Sequence, residues 1–292
     1  AAKSGGLDDK TRQLLGESGW PEPVSRTDQR DPASRRLFRD GGYYILGQDL
    51  DTANEVRMLV DAGPLGYLSI AAHGHADALA VSLSVAGREI LIDPGTFTYH
   101  GQPEWRRYFR STRAHNTVVV DNEDQSVQGG GFMWTQHANA RCKEIQLGVS
   151  SDRFVGEHDG YVRLDDPVTH ERKIARHGAN FAITDSFGCA AEHTIERCWH
   201  FSENCVVDVS ERTVTAHCDG VTVRMTANEP DTRIVTLQGS VNPIGGWISR
   251  KFDIKSATTS VYFVDKIKGA TSVSTTIECD VTDVCHGSPG SA

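Results

Sequence analysis

The sequence has few of the features that mark membrane-spanning or nucleic-acid-binding proteins. No apolar run in its 292 residues approaches the roughly 20 residues of a transmembrane helix, so we expect no membrane insertion. Acidic residues outnumber basic ones by 39 to 30, and the formal net charge of −9 repels polyanions at long range. We therefore expect no nucleic-acid partner. A polyanionic substrate would need a local basic cleft, and arginines cluster at Arg106, Arg107, Arg110 and Arg113.

Cysteine spacing gives no support to a cysteine-based metal cluster. The seven cysteines are scattered and contain no C-x-x-C pair. Cys279 and Cys285 are close enough in sequence to close a small loop in an oxidising compartment, and reduced, buried thiols fit the same residues as well. Cysteine usage therefore leaves the compartment open.

The first 36 residues differ in composition from the rest of the chain. Residues 7–16 have acidic residues early and a glycine at the end, which predicts a short helix. Three prolines between Trp20 and Arg36 indicate a linker. A lone short helix cannot bury its apolar face, and the chain begins without Met. We expect residues 1–36 to be a helical remnant and linker that follow a missing domain.

Amphipathic helical patterns are almost absent after residue 37. Short β-branched runs recur at the spacing of a sandwich, which predicts an all-β, large antiparallel β-sandwich over residues 37–286 and a tail at 287–292. The clearest element is a hairpin of residues 79–85 and 88–93 around an Ala86-Gly87 turn. Alternation places the following side chains on its core face: Val81, Leu83, Val85, Ile90 and Ile92. Further strands are predicted at 116–121, 154–157, 181–185, 206–209, 221–225, 233–237 and 260–264, with a long loop at 121–134.

Side chains that can carry chemistry concentrate between His73 and His115. In a strand, His73 and His75 would point to one side and could converge on a metal. Asp93 ends the hairpin and His115 begins the next apolar run, and two histidines with one carboxylate and an open water position fit zinc or iron. By spacing alone, separate structural roles for the histidines and an ordinary Asp-Pro-Gly turn fit the sequence as well.

Aromatic and basic residues occupy the same stretch. Taken singly, Tyr99 and Tyr108 fit ordinary packing roles, and Arg106, Arg110 and Arg113 fit a solvated charged face. The arginines alternate with aromatic residues beside the histidines, however. This pattern favours a lining that binds carboxylate or sulfate groups.

Four motifs in this part of the chain resemble the heparinase II/III family of polysaccharide lyases, which includes oligoalginate lyases. They are Phe38-x-x-Gly41-Gly42-Tyr43-Tyr44, Ala72-His73-Gly74-His75-Ala76-Asp77, Ile92-Asp93-Pro94-Gly95-Thr96, and Trp105-Arg106-x-Tyr108-Phe109-Arg110-Ser111-Thr112-x-Ala114-His115-Asn116-Thr117. The resemblance is strongest from about Phe38 to Asp124 and extends to about residue 280. It implies an α/α toroid followed by an antiparallel β-sandwich, of which this chain is the sandwich.

The resemblance also implies roles for individual residues. His75, Asp93 and His115 match the family's zinc ligands, and the zinc is expected to be a structural brace. His73 matches the active-site histidine beside the substrate. A tyrosine of the sandwich lines the cleft in relatives, and Tyr99 is the first candidate for it.

Tyr108 is the second candidate for this tyrosine, and Arg106, Arg110 and Arg113 are the expected substrate-binding residues. The implied reaction is β-elimination on an acidic polysaccharide, of heparin or heparan type, alginate or bacterial exopolysaccharide. The family's remaining catalytic groups lie in the toroid, which is the implied partner domain. We therefore expect the isolated chain to be inactive. Relatives are typically exported to a periplasm or cell envelope, which is the expected location here, and the sequence leaves the cytoplasm open.

Two alternatives come from other functional classes. One is a cupin-like metalloenzyme, because these proteins also hold iron or manganese with His-x-His, a carboxylate and a later histidine. The other is a non-catalytic, carbohydrate-binding sandwich that is stapled by zinc. β-Elimination produces unsaturated uronates and oxidation consumes dioxygen, whereas a binding module does neither.

Overall fold

The computed structural model describes residues 36–67 and 69–281. The helix predicted over 7–16, the linker before residue 36, Cys285 and the tail at 287–292 lie outside these residues. The part that is described contains no helix with the length and hydropathy of a membrane span. Its strands, in chain order, are β1 (Leu37–Phe38), β2 (Tyr43–Gln48), β3 (Val56–Asp61), β4 (Val81–Val85), β5 (Arg88–Leu91), β6 (Val118–Val120), β7 (Val127–Gln128), β8 (Trp134–Gln136), β9 (Ala140–Leu147), β10 (Ser151–His158), β11 (Thr169–His177), β12 (Asn180–His200), β13 (Val206–Ser210), β14 (Thr213–Cys218), β15 (Val221–Ala227), β16 (Arg233–Gln238), β17 (Ser240–Val241), β18 (Ile244–Gly245), β19 (Trp247–Lys251), β20 (Ile254–Ala257) and β21 (Thr259–Val281).

Two antiparallel sheets contain most of these strands, which confirms the predicted all-β sandwich. The smaller sheet has the order β1-β2-β3-β4-β5, and the larger has the order β13-β14-β15-β21-β12-β11-β10-β9 with β16 added on β21 and β6 added on β12. One hydrophobic core joins them: Leu46 and Met58 of the smaller sheet are fully buried together with Phe154, Ile183 and Phe263 of the larger. The pairs β7–β8, β17–β18 and β19–β20 form separate two-stranded sheets.

The predicted hairpin is present as β4 and β5. Ala86 and Gly87 have φ values of 47° and 74°, the left-handed geometry that matches the twist of a tight hairpin. A register shift between Leu83 and Ser84 breaks the expected alternation. Because of this bulge, Ile90 and the neighbouring Leu91 are both buried.

The larger sheet is built on two long strands that the sequence analysis predicted only as short pieces. β12 has 21 residues and β21 has 23. They pair along most of their length, with one register shift between Gly188 and Glu192. β9 and β11 were not predicted, because charged residues interrupt their apolar pattern.

A helix, α1 (Pro103–Arg110), follows the smaller sheet and was also missed. Proline near its start and basic residues in its last turn are typical helix-terminus signals. A short 3₁₀ turn, Thr112–Ala114, leads from α1 to His115. The predicted loop at 121–134 holds β7 and the start of β8.

A buried polar network crosses from the larger sheet to the loops of the smaller one. Arg172 is fully buried and binds both carboxylate oxygens of Asp185, at 2.7 and 3.0 Å. Its Nη1 donates to the backbone carbonyls of Leu79 and Asn116, each at 2.9 Å. Burial would raise the pKa of Asp185, but the charge of Arg172 holds that pKa below its usual range.

Two neutral histidines extend this network. The backbone N–H of Gly160 donates to His158 Nδ1 at 3.1 Å, so the remaining proton of His158 is on Nε2. This Nε2 donates to His170 Nδ1 at 2.9 Å, and His170 Nε2 donates to Asp185 at 2.8 Å. Burial lowers the pKa of His158 and of His170, which keeps both rings in the neutral form that this chain of hydrogen bonds requires.

We predict that Arg172→Met destabilises the protein by about 3–5 kcal/mol, because it leaves the buried carboxylate of Asp185 without its partner. The matched control is Arg141→Met, which removes an exposed arginine paired with Glu157 and should leave the stability close to that of the wild type. Urea unfolding measures both changes. Equal midpoints for the two variants would contradict the role of the buried pair.

Candidate metal and catalytic site

The His-x-His pair lies in a loop between β3 and β4, which corrects the expectation of a strand. Ala71, His73 and Leu79 all have left-handed φ values, of 50°, 61° and 59°. Such values cost energy in non-glycine residues and persist only where surrounding contacts impose them. The loop is held by its own turn and by a 2.9 Å hydrogen bond from Ala76 N to the carbonyl of Arg110. As a result, the two imidazoles meet different partners and do not share one strand face.

Asn116 joins the separate segments of the site. Its Nδ2 donates to two backbone carbonyls, including that of Ile92 at 2.9 Å, and its Oδ1 accepts the N–H of His200 at 2.6 Å. The residue directly follows His115, and Ile92 directly precedes Asp93. One buried side chain therefore fixes the distance between these two predicted ligands.

The structure brings the predicted metal ligands together. Asp93 Oδ2 accepts a hydrogen bond from His115 Nδ1 at 2.8 Å, and the rings of His75 and His115 are 5.2 Å apart between centroids. Asp77, which was not predicted from the sequence, forms a closer group with the two histidines: one ligand atom each of His75, Asp77 and His115 lies within 4.8 Å of the others, and Asp93 is not in this group. The place of Asp77 in the His-x-His-x-Asp motif was the available signal.

Charges are crowded in this cluster. Burial raises the pKa of Asp61 to about 6 and that of Asp77 to about 7, and it lowers the pKa of His75 to about 3. Burial also acts to lower the pKa of His115, but the neighbouring charge of Asp93 outweighs this effect and raises it to about 9. His115 in turn holds the pKa of Asp93 below its usual range, against the effect of desolvation.

This donor set fits a zinc-type cation. Neutral imidazoles and carboxylates are ligands that zinc accepts, and His75 is already in the neutral, metal-binding form. A proton on His115 Nδ1 now lies between the imidazole and Asp93 Oδ2. A cation bound by both residues would replace this proton. Three carboxylates close to two histidines, with only one of those histidines positively charged, leave negative charge that a divalent cation would compensate.

His73 is not a member of the group formed by His75, Asp77 and His115, and it contacts Tyr99. The distance from His73 Nδ1 to the Tyr99 hydroxyl is 3.3 Å. His73 lines a cleft of about 580 Å³ together with His75, Asp77 and Asp93. Tyr99 lines a neighbouring cavity of about 1000 Å³. The hydrogen bond between His73 and Tyr99 therefore joins a residue that lines the cleft of the predicted metal ligands to a residue that lines the larger cavity.

Tyr99 also stacks with two phenylalanines. Its ring is 6.1 Å from that of Phe132 and 5.6 Å from that of Phe252, with interplanar angles of 8° and 26°. Phe132 is 50% exposed and Phe252 is 58% exposed. Paired, exposed aromatic rings beside a polar cleft are typical of binding surfaces. Neither phenylalanine was predicted as a site residue; the available signal was the position of Phe132 directly after three glycines.

Tyr108, the second candidate, lines the same larger cavity as Tyr99 but lies deeper in the protein. It is 7% exposed and packs with Phe97, Phe109 and Ala114. Burial raises the pKa of its hydroxyl above the usual range. Of the two predicted tyrosines, the structure places only Tyr99 in contact with His73.

The three predicted substrate-binding arginines mostly hold the protein itself together. Arg110 is 1% exposed and donates to the carbonyls of Gly130, at 2.7 Å, and Met133, at 3.3 Å. Arg113 is paired with Glu196 at 2.6 Å. Because their guanidinium groups are already bound, neither presents a free charge to a substrate in this structure.

Of the three predicted arginines, Arg106 is the one whose guanidinium contacts the Tyr99 ring. Its guanidinium lies 4.8 Å from the centre of the Tyr99 ring, and its Nε donates to the carbonyl of Gly131 at 3.0 Å. Its Nη1 has no hydrogen-bond partner among the described residues. A role for Arg106 in binding an anionic group stays a prediction.

Comparison with known proteins gives relatives that are polysaccharide lyases by name. The heparin-sulfate lyase of Pedobacter heparinus is 25% identical over 142 residues, which cover 48% of this chain and 19% of that protein. A solved heparinase III superimposes with a TM-score of 0.69 at 19% identity, covering 85% of this chain and 36% of its own. The heparan sulfate lyase HepC of Pedobacter heparinus superimposes with a TM-score of 0.67 at 19% identity, covering 83% and 36%.

These structural matches show a shared fold, and the chain spans only about a third of the length of the solved relatives. The family described as "Heparinase II/III-like, C-terminal" matches residues 30–276, which is most of the chain. This match confirms the resemblance found in the four sequence motifs. The chain belongs to the heparinase II/III-like C-terminal domain family.

Proposed function

We propose that this chain is the sandwich part of a polysaccharide lyase that cleaves uronic-acid-containing polysaccharides by β-elimination. The observation that carries the proposal is the 3.3 Å contact between His73 and Tyr99 at the junction of two cavities. The names of the relatives support an acidic polysaccharide of the heparin or heparan sulfate class as the substrate.

The proposed reaction needs two proton transfers and neutralisation of a carboxylate. The C5 proton of the uronate is removed, a double bond forms between C4 and C5 as the bond from C4 to the leaving oxygen breaks, and that oxygen takes up a proton. His73 is exposed at the mouth of its cleft and suits either proton abstraction at C5 or a hydrogen bond to the uronate carboxylate. The Tyr99 hydroxyl lies within reach of His73 and is the candidate donor to the leaving oxygen. Arg106, behind the Tyr99 ring, is placed to stabilise negative charge there.

We further propose that His75, Asp93 and His115 bind zinc, with Asp77 as a candidate fourth ligand. When bound, the ion would supply positive charge at the base of the loop that carries His73. The protein's own residues prepare the site: Asn116 fixes the spacing of His115 and Asp93, and burial keeps His75 neutral. With four protein ligands the site would be closed, as structural zinc sites are.

A zinc-stapled binding module is the second candidate function. The exposed stack of Phe132, Tyr99 and Phe252 favours it, because aromatic faces bind sugar rings without catalysis. The cupin-like alternative has no support from the family match. Lyase assays separate the two remaining candidates.

We predict that Tyr99→Phe lowers the turnover of a heparan-type or other uronate polymer by about 10²–10⁴-fold, as expected for loss of a general acid. Tyr108→Phe is the matched control and should retain activity, because Tyr108 is buried away from His73. The complete product of the gene is assayed by the ultraviolet absorbance of unsaturated uronate. If no unsaturated uronate forms from any polymer tested, the binding module is favoured. An equal loss of activity in both variants would contradict the role of Tyr99.

We predict that the purified protein binds zinc at the site formed by His75, Asp93 and His115, which we call the first site. His115→Ala should lose this zinc, as measured by elemental analysis after dialysis. Asp93→Asn should lower zinc affinity more than Asp77→Asn, because Asp93 is one of the three proposed ligands and Asp77 is the candidate fourth. Wild-type zinc content in His115→Ala would contradict this ligand set.

We predict that Phe132→Ala weakens oligosaccharide binding by about three- to tenfold, since stacked aromatic contacts contribute roughly 0.5–1.5 kcal/mol. Val149→Ala removes an exposed apolar side chain outside the stack and serves as the control. Isothermal titration with size-defined uronate oligosaccharides measures both variants. Unchanged affinity in Phe132→Ala would rule out the stack as a binding surface.

A further inference from the structure

A second group of metal-ligating side chains lies on the larger sheet. The pairing of β12 with β21 is interrupted between Gly188 and Glu192. In this bulge, the backbone N–H groups of Ala190 and Ala191 donate to Asp166 Oδ2, at 3.0 and 2.7 Å. β-Bulges commonly redirect side chains. Here the carboxylate of Asp166 is fixed beside Cys189, which lies within the bulge, and His193, which pairs with β21 just after it.

Both ring nitrogens of His193 are engaged by carboxylates. Nε2 lies 2.7 Å from Asp166 Oδ2, and Nδ1 lies 2.6 Å from Asp121 Oδ2. Asp121 is itself held, because its Oδ1 accepts the N–H of Thr194 at 2.9 Å. The ring is 7% exposed. A carboxylate that orients one histidine nitrogen while the other nitrogen faces a ligand position is the usual arrangement around protein-bound metals.

Cys189 completes the group. One ligand atom each of Asp166, Cys189 and His193 lies within 4.8 Å of the other two. The thiol is half-buried, and its hydrogen bond to the carbonyl of Gly269 is long, at 3.6 Å. It forms no disulfide among the described residues. The sulfur is therefore available as a ligand.

We propose that Asp166, Cys189 and His193 form a second metal site, for zinc or a similar thiophilic divalent cation, with Asp121 orienting the histidine. Binding would form metal bonds to one Asp166 oxygen, the Cys189 sulfur and His193 Nε2. The thiol proton and the Nε2 proton would be released to solvent. Water would occupy the fourth position. Tetrahedral ligation requires the 2.7 Å separation of Nε2 and Oδ2 to widen to about 3.4 Å.

The competing explanation is an ion pair alone. A protonated His193 between two carboxylates satisfies the same hydrogen bonds without Cys189, and the neighbouring carboxylates do raise the pKa of this histidine. The two explanations differ in the role of the sulfur. A metal site requires the thiolate, whereas the ion pair is indifferent to it.

This difference sets the experiment. Metal-free protein is titrated with cobalt(II), because cobalt bound to a thiolate gives a near-ultraviolet charge-transfer band. The ligands proposed for the site at His75, Asp93 and His115 contain no cysteine, so that site cannot give the band, and cysteine variants show which thiol does. We expect the band in the wild type, its loss in Cys189→Ser, and its retention in Cys205→Ser, a control at another half-buried cysteine.

Three further measurements keep the two sites and the two explanations apart. His115→Ala should keep the band even though it loses zinc from the first site, so failure of one site does not imply failure of the other. Asp121→Asn should weaken the cobalt affinity measured by the band about 10–100-fold. Zinc should slow alkylation of Cys189. No band in the wild type, or an undiminished band in Cys189→Ser, would overturn the proposal.

Discussion

The side chain of Asn116 is the constraint on which the site depends. Its amide bridges the ends of β4 and β5 to the N–H of His200 on β12, so it links the two sheets at the point where His115 and Asp93 meet. Arg172 holds the backbone of Asn116 in place, because it donates to the carbonyl of Asn116. The charge of Arg172 is in turn neutralised by Asp185. The geometry of the site is therefore set by buried hydrogen bonds between sheets rather than by a rigid loop.

This support explains how an unfavourable arrangement of charge and backbone can persist. The loop that carries His73 and His75 has three non-glycine residues with left-handed φ, and the cluster beneath it gathers Asp61, Asp77 and Asp93. Each feature costs folding energy unless the surroundings impose it. A bound cation at the cluster would relieve the crowding and would stiffen the loop that presents His73 to Tyr99. Structure, charge and the proposed catalysis are coupled through that loop.

Local patterns predicted part of this arrangement. The β4–β5 hairpin followed from alternation and its turn, and His75, Asp93 and His115 were identified by motifs before the structure placed them together. β11 was missed because its inward-facing positions include Arg172 and Arg176, which are buried. In the sequence, arginines at these positions indicate a solvent-exposed segment. The stacking of Phe132 and of Phe252 on Tyr99 depends on contacts between distant segments. Their spacing along the chain carries no information about such contacts.

The most direct test of the central claim is anomalous diffraction at the zinc edge from crystals of the protein grown with zinc. If Asn116 holds His115 and Asp93 in a preformed metal site, a peak will lie within bonding distance of His75, Asp93 and His115, and the map will show whether Asp77 is a fourth ligand. A well-ordered crystal without a peak at that cluster, with Asp93 still hydrogen-bonded to His115, would contradict the account.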